Sequence, residues 1–595
     1  MQKGNIVGIA LGSALITALR PSGLLALILT ILHSPLYILL STLFGIIAFH
    51  VIEYLNDPYG YNTSSPTPIP GPWIAKLSDI WLSRKAALGD RSGRIHKLHQ
   101  KYGKVVRIAP NHISIADPEA LQIVYAHGNG SLKSDFYDAF VSLHRGLFNT
   151  RDRAEHTRKR KIVSSIFSQK NVLEFEPYIQ NLIALMMVKW DSMTGEAEAC
   201  KDHEQVKQEF DLNQGGIGNG KSGEGKKVVP LKEGTYAEGG RVWFDALKWF
   251  NYLAFDIIGD LAFGSPFGML QAEKDEAAVL MPGDTPDKTV YLPAIQILND
   301  RGNYSASLGV IPPVFRPIVK QFPWFKRGTQ AVKSLAGIAV AAVGKRLSEP
   351  SDRNDLLSKL QKGKDVNGNP MGRAELTAEA QTQLIAGSDT TSNSSCAITY
   401  FLATHPEAQK KLQAELDEAL GHPICPNVGL EATVSELKSD VAPYDAIKAL
   451  PYLQACIQEG LRMHSTSGIG LPRIVPAGGL TVMGRFYKEG SILSVPSYSI
   501  HRDRDVWGED VDEYRPERWF EGDEEKMQKT FNPFSWGPRA CVGKNLAMME
   551  LLMIIASVFR RYEFVPVEED QKMETLEGFL RKPLECVLGV KRRDI

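Results

Sequence analysis

The stretch Phe534-Ser535-Trp536-Gly537-Pro538-Arg539-Ala540-Cys541-Val542-Gly543 decides how the rest of the chain is read. Gly537-Pro538 turns the backbone, and residues 544–559 read as a long apolar helix that starts just beyond the cysteine. A thiol there meets the positive end of a helix dipole and the Arg539 side chain, and both favour the thiolate. No second cysteine or histidine stands close by, so a four-ligand zinc site is not indicated. A lone thiolate in apolar surroundings suits one axial bond to an iron whose other ligands come from a porphyrin. Taken alone, such a cysteine is more commonly a buried structural thiol at a helix start.

The composition narrows the field around that cysteine. Six cysteines in 595 residues make no disulfide scaffold, and they point to a reducing compartment. The other five (Cys200, Cys396, Cys425, Cys456 and Cys586) show no ligand-like or paired spacing. With 68 basic and 68 acidic side chains, bulk attraction for a polyanion is excluded. Residues 151–161 are locally basic, but no aromatics interleave them, so a solvated helix face is expected there and no nucleic-acid partner.

Upstream, Leu384-Ile385-Ala386-Gly387-Ser388-Asp389-Thr390-Thr391 interrupts a helical pattern that runs to about Thr404. Five consecutive poor helix formers cost about 3 kcal/mol relative to alanine. Rule-breaking of this kind clusters at functional positions. Asp389 and Thr390 offer a carboxylate and a hydroxyl able to relay protons, and Gly387 leaves room for something to approach the helix. The plainer reading is a Ser/Thr-bent helix packed in the core. Further on, Glu459 and Arg462 stand i, i+3 on an expected helix Pro451–His464, a pair that on a surface contributes only ~0.2–0.5 kcal/mol.

Between residues 6 and 52 only Arg20 carries a permanent charge. Residues 36–54 are long enough for a bilayer span, and the earlier apolar runs would supply a second, kinked one. The stretch is too long for a cleaved signal peptide. The expected organisation is an anchor at 1–56, a proline-rich hinge at 57–73 acting as a stiff tether, and one catalytic unit at 74–595. That unit should be mainly α with small β-sheets. Helical patterning covers residues 176–190, 244–261, 376–402 and 541–562, and strand-like runs occur at Val105–Ala109, His112–Ile115 and Leu480–Val482. Residues 195–241, rich in Gly, Lys and Glu, read as a mobile insertion. Within it, Gly215-Gly216-Ile217-Gly218-Asn219-Gly220-Lys221-Ser222 fits a phosphate-loop pattern but lacks the flanking strand and helix, so it reads as coincidence.

Residues Phe534 to Gly543 match, at each diagnostic position, the heme-binding loop F-x-x-G-x-R-x-C-x-G, and the chain resembles the cytochrome P-450 family. The resemblance extends over nearly everything from Pro70 onward. It implies the cytochrome P-450 fold and a heme b cofactor (iron protoporphyrin IX), with Cys541 as axial iron ligand. It places Arg539, Arg473 and Arg160 on the heme propionates. His156 joins them less securely, because the family's tryptophan is usual there. Phe534, Ala386 and Gly387 would line the heme and oxygen pocket. Ala386 to Thr391 is similar to the family's A/G-G-x-D/E-T-T/S motif, which implies that Asp389 and Thr390 deliver protons to activated oxygen. Arg515-Pro516-Glu517-Arg518-Trp519 is similar to another family element, so Glu459, Arg462 and Arg518 are expected to form a buried structural triad.

The expected activity is that of a monooxygenase anchored in the endoplasmic reticulum membrane and facing the cytosol. Its partners would be membrane lipid, O2, a separate NADPH-cytochrome reductase, and an apolar, aromatic or polyketide-like substrate of fungal secondary metabolism. Asn149-Thr150-Arg151-Asp152-Arg153 and Phe255-Asp256-Ile257-Ile258-Gly259-Asp260 are similar to the benzoate 4-monooxygenase branch, which makes benzoate 4-hydroxylation the alternative. An oxygen-independent isomerase or dehydratase is a further one, opposed by Asp389-Thr390. Substrate contacts are expected from residues 131–147 and 467–471.

Overall fold

Helix Arg373–Thr404 runs unbroken for 32 residues through the expected weak point at Gly387-Ser388-Asp389-Thr390-Thr391. Tertiary contact explains why: it packs against helices Ala246–Phe263, Pro323–Ser348, Pro451–His464 and Lys544–Arg561. Helix Ala246–Phe263 buries every residue except Lys248, so it sits inside the helical layer. The computed structural model describes residues 35–63, 68–200, 228–423 and 433–594, apart from 233, 282, 350–352, 354 and 365–367. The apolar runs before residue 35, residues 64–67, the phosphate-loop match at 215–222 and Cys425 lie outside them.

The expected strands and the helix Pro451–His464 form with the expected bounds. Two readings change. Phe244 belongs to strand Arg241–Asp245, whose Val242 and Phe244 alternate inward against strand Val587–Arg592. The Asp245 carboxylate then caps the next helix by accepting from the Leu247 amide at 3.0 Å. The insertion is also narrower than residues 195–241. Helix Glu176–Ala199 extends through its first residues, and strands Val229–Pro230 and Tyr236–Glu238 join the edge of a five-stranded sheet.

A second five-stranded sheet positions the site. Its order is Val105–Ala109, His112–Ile115, Ile492–Ser494, Arg473–Ile474, Leu132–Lys133. The register sets Lys133 opposite Arg473 at the inner edge.

Helix Pro35–Asn56 precedes this unit. Its stretch Tyr37–Asn56 has a mean hydropathy of 1.9 and none of it is buried, so it is long and apolar enough to cross a membrane. The chain that follows is docked rather than free. The Asp57 carboxylate accepts from the amides of Tyr61 and Asn62 at 2.7 and 2.9 Å, and Tyr61 and Ile69 are buried. The Arg107 guanidinium lies over the Tyr61 ring and donates to Asn62 Oδ1 at 3.0 Å, while its amide donates to the Pro70 carbonyl at 2.8 Å.

Candidate active site

A cavity of about 310 Å³ opens between helix Arg373–Thr404 and the loop around Cys541. The loop is held by its own backbone. Ser535 and Gly537 have φ of +60° and +73°, and a Cβ on Gly537 would lie 1.8 Å from the Tyr125 carbonyl oxygen, so only glycine fits. The Cys541 amide donates to the Phe534 carbonyl at 2.8 Å, and helix Lys544–Arg561 starts three residues later. Cys541 keeps accessible surface, and it lines the cavity.

The reason expected for an activated thiolate changes. Surrounding protein desolvates the sulfur and pushes its pKa up, opposed by the Gly543 amide, Arg160 and Lys544. Arg539 acts elsewhere, because its Nη1 and Nη2 donate to the Thr150 and Arg151 carbonyls at 2.7 and 3.0 Å. Arg160 instead donates to the Ala540 carbonyl beside the cysteine.

The fold gathers the basic side chains named above. Arg539, Arg473, Arg160 and His156 all line the cavity, joined by Lys133, which the residue pattern did not single out. Its signal is visible only in the sheet register, where strand Leu132–Lys133 pairs with Arg473–Ile474. These groups repel one another. Burial first, then Arg473, Arg539 and Arg160, push the Lys133 ammonium well below its usual range, and burial with Arg473 pulls Arg539 to about 10. Burial and the same cations hold His156 at about 3, so it stays neutral at physiological pH. The buried Nη2 of Arg473 has no hydrogen-bond partner. Such a cluster costs stability unless anionic groups enter it.

Opposite the loop, Ala386, Gly387 and Thr390 line the cavity, and the Thr390 hydroxyl donates to the Ala386 carbonyl at 2.7 Å. Asp389 is not part of the lining. It accepts from Asn393 Nδ2 at 3.2 Å; burial raises its pKa, opposed by Lys582, that hydrogen bond and Arg301. Gly387 admits Ile258 of helix Ala246–Phe263, which also lines the cavity, since a Cβ on Gly387 would lie 2.7 Å from Ile258 Cδ1. Phe534 lines the cavity with its ring 5.9 Å from the Lys544 ammonium.

Glu459, Arg462 and Arg518 meet away from the cavity, fully buried. Glu459 Oε1 accepts from Arg462 Nη2 at 2.8 Å and Arg518 Nε at 2.9 Å, and Trp519 Nε1 donates to Oε2 at 3.1 Å.

Phe140 lies in the expected stretch 131–147, whereas sequence reasoning missed Phe148 and Phe579, which join it in an aromatic cluster from segments some 430 residues apart, and Arg301 of helix Ala294–Val310. Glu550 accepts from the Thr391 hydroxyl at 2.7 Å, and burial pushes it up to about 8. The stretch 151–161 is also less free than a solvated face. Lys159 is buried on Glu375 and Glu379 at 2.6 and 2.9 Å, and Arg158 pairs with Glu155 and Glu375. Cys396 and Cys586, unpaired by spacing, lie in hydrogen-bonding contact in the core.

An accessible sulfur, an apolar cavity and a rim of uncompensated cations fit a broad group with anionic edges and one open axial position. That is the donor set of a heme-thiolate enzyme. The family model described as Cytochrome P450 matches residues 67–212 and 232–590. The chain is 48% identical over 534 residues to benzoate 4-monooxygenase bphA of Aspergillus niger, covering 88% of this chain and 92% of that relative. A cytochrome P450 monooxygenase of Aspergillus terreus is 30% identical, covering 83% and 89%. Another, gsfF of Penicillium aethiopicum, is 28% identical, covering 90% and 96%. This chain belongs to the cytochrome P450 family, and it is a monooxygenase. Membership implies a heme iron, O2, a small-molecule substrate and a redox partner.

Proposed function

We propose that the chain hydroxylates a small aromatic acid of the benzoate type, with heme b as cofactor. The 48% identity over 92% of the Aspergillus niger relative carries this reading, and the aromatic cluster on the cavity lining supports it. The secondary-metabolite reading of a polyketide-like substrate draws on relatives of 30% identity and below, so the order of the two expectations reverses.

When bound, the heme supplies oxygen activation, and the overall change is RH + O2 + two electrons + two protons giving ROH + water. In this assignment Cys541 would supply a sulfur ligand to the heme iron, and Phe534, Ala386 and Gly387 would line the cofactor's pocket. Arg473, Arg539, Arg160 and Lys133 hold the cofactor's carboxylates, and neutral His156 donates a hydrogen bond there. Thr390 passes protons into the cavity by rotating its hydroxyl away from the Ala386 carbonyl. Asp389, raised by burial, resupplies it from behind the wall. Glu459, Arg462 and Arg518 lock the core.

The same proposal places residues 1–56 in the endoplasmic reticulum membrane, residues 57–73 as a connecting strap and residues 74–595 in the cytosol, supplied by an NADPH-dependent reductase and contacting membrane lipid. The test is a reduced, carbon-monoxide-treated spectrum together with product analysis under heavy-isotope dioxygen. Wild type should show the thiolate Soret band and one labelled hydroxyl per product; Cys541→Ala should lose both. An unchanged band in Cys541→Ala, or unlabelled product from wild type, refutes the assignment and favours oxygen-independent chemistry.

A further inference from the structure

Arg301 is a buried cation without an ion-pair partner. Its side chain is 95% buried within helix Ala294–Val310, yet it lines the cavity. Nη2 donates to the Phe140 carbonyl at 3.0 Å, and Nε has no hydrogen-bond partner. Among the described residues no carboxylate lies within ion-pair distance of it. Asp389 attracts it from further away, but the same carboxylate also faces the Lys582 ammonium. Burial pulls the guanidinium down only to about 10, so it keeps its charge at neutral pH.

The surroundings define what would satisfy it. Phe140, Phe148 and Phe579 meet edge-to-face, with centroids 4.9 to 5.6 Å apart, and form a compact aromatic cluster on the cavity lining. The Arg301 guanidinium sits over the Phe140 ring, 5.1 Å from its centroid. A cavity lined by aromatic rings and by a buried cation without a carboxylate partner complements an aromatic ring bearing one anionic group. A neutral aromatic compound would fill the cavity and leave the charge unsatisfied, which is a strong basis for discrimination.

We infer that Arg301 binds the carboxylate of an aromatic acid substrate and thereby sets both specificity and the end of the ring offered for oxidation. This rests on the aromatic-acid reading above and names the residue that enforces it. Held by its carboxylate against Arg301, the ring would present its opposite carbon away from the guanidinium, which would favour oxidation at that carbon.

The test uses heme-loaded, full-length protein, with the reduced carbon-monoxide spectrum as a check on each variant. Benzoate and its neutral isostere benzamide are titrated against the Soret band. Wild type should bind benzoate at least tenfold more tightly than benzamide. Arg301→Gln should lose benzoate affinity by tenfold or more while benzamide affinity stays within threefold, and Arg301→Lys should recover part of the preference. Equal loss of both ligands, or none, in Arg301→Gln overturns the inference and leaves Arg301 as a neighbour of Asp389. Should Arg301→Gln fail to take up heme, wild-type selectivity decides, and equal affinity for the two compounds overturns it. A wild type that responds to neither compound overturns the aromatic-acid reading and this inference together.

Discussion

Glu459 accepts hydrogen bonds from two buried arginines, so its removal leaves Arg462 without a counter-charge and Arg518 with Asp510 alone. Glu459→Gln is expected to cost about 3–5 kcal/mol, read by chemical unfolding and by loss of bound heme. Thr390→Ala removes a hydroxyl without disturbing the spectrum, and product formation should fall at least about 100-fold if that hydroxyl carries protons. Glu550 makes a different prediction. Its folded pKa of about 8 lies above the ordinary carboxyl value of 4.5, so the folded state holds the extra proton in between. Stability is then greatest below the unfolded value and declines as pH rises towards 8. Glu550→Gln should flatten that decline, which unfolding curves at pH 5 and 8 would show. At this scale Cys541 was legible because its spacing is local. Lys133 and Arg301 were not, because the partners that give them meaning come from strands and helices far away in the chain.

At the scale of elements, the weak helix formers from Gly387 to Thr391 fall where their helix lines the cavity, and Gly387 is also a point of close helix packing. It lines the cavity and receives Ile258 of the neighbouring helix, which lines the cavity beside it. Gly387→Ala gains helix propensity of roughly 0.5–1 kcal/mol yet forces a contact below 3 Å. We expect a net loss of about 1–2 kcal/mol in thermal unfolding, reduced when Ile258→Val is added. Periodicity read the long helices well because their apolar faces repeat over many turns. It failed at Phe244, where a strand runs straight into a helix and no glycine or proline marks the join.

For the whole molecule, the proline-rich segment read from composition as a stiff tether, and its described part proves to be bonded to the body. Composition reports stiffness, whereas docking depends on Arg107, which comes later in the chain. Removing residues 1–56 should leave the melting temperature unchanged. Removing residues 1–72 should cost roughly 3–5 kcal/mol, because Tyr61 and Ile69 lose their burial.

The five-stranded sheet has a mechanical consequence. The strap is hydrogen-bonded to strand Val105–Ala109 at one edge, Lys133 occupies the other, four strand spacings or roughly 19 Å away, and Arg473 sits on the strand next to it. Backbone ladders therefore connect helix Pro35–Asn56 to the cation cluster, with few flexible side chains in the path. Whatever fixes the tilt of that helix also fixes the tilt of the cavity's charged rim, as a gimbal locked on one axis would. Inserting residues into the strap would release that axis, while changing the surface around it would not.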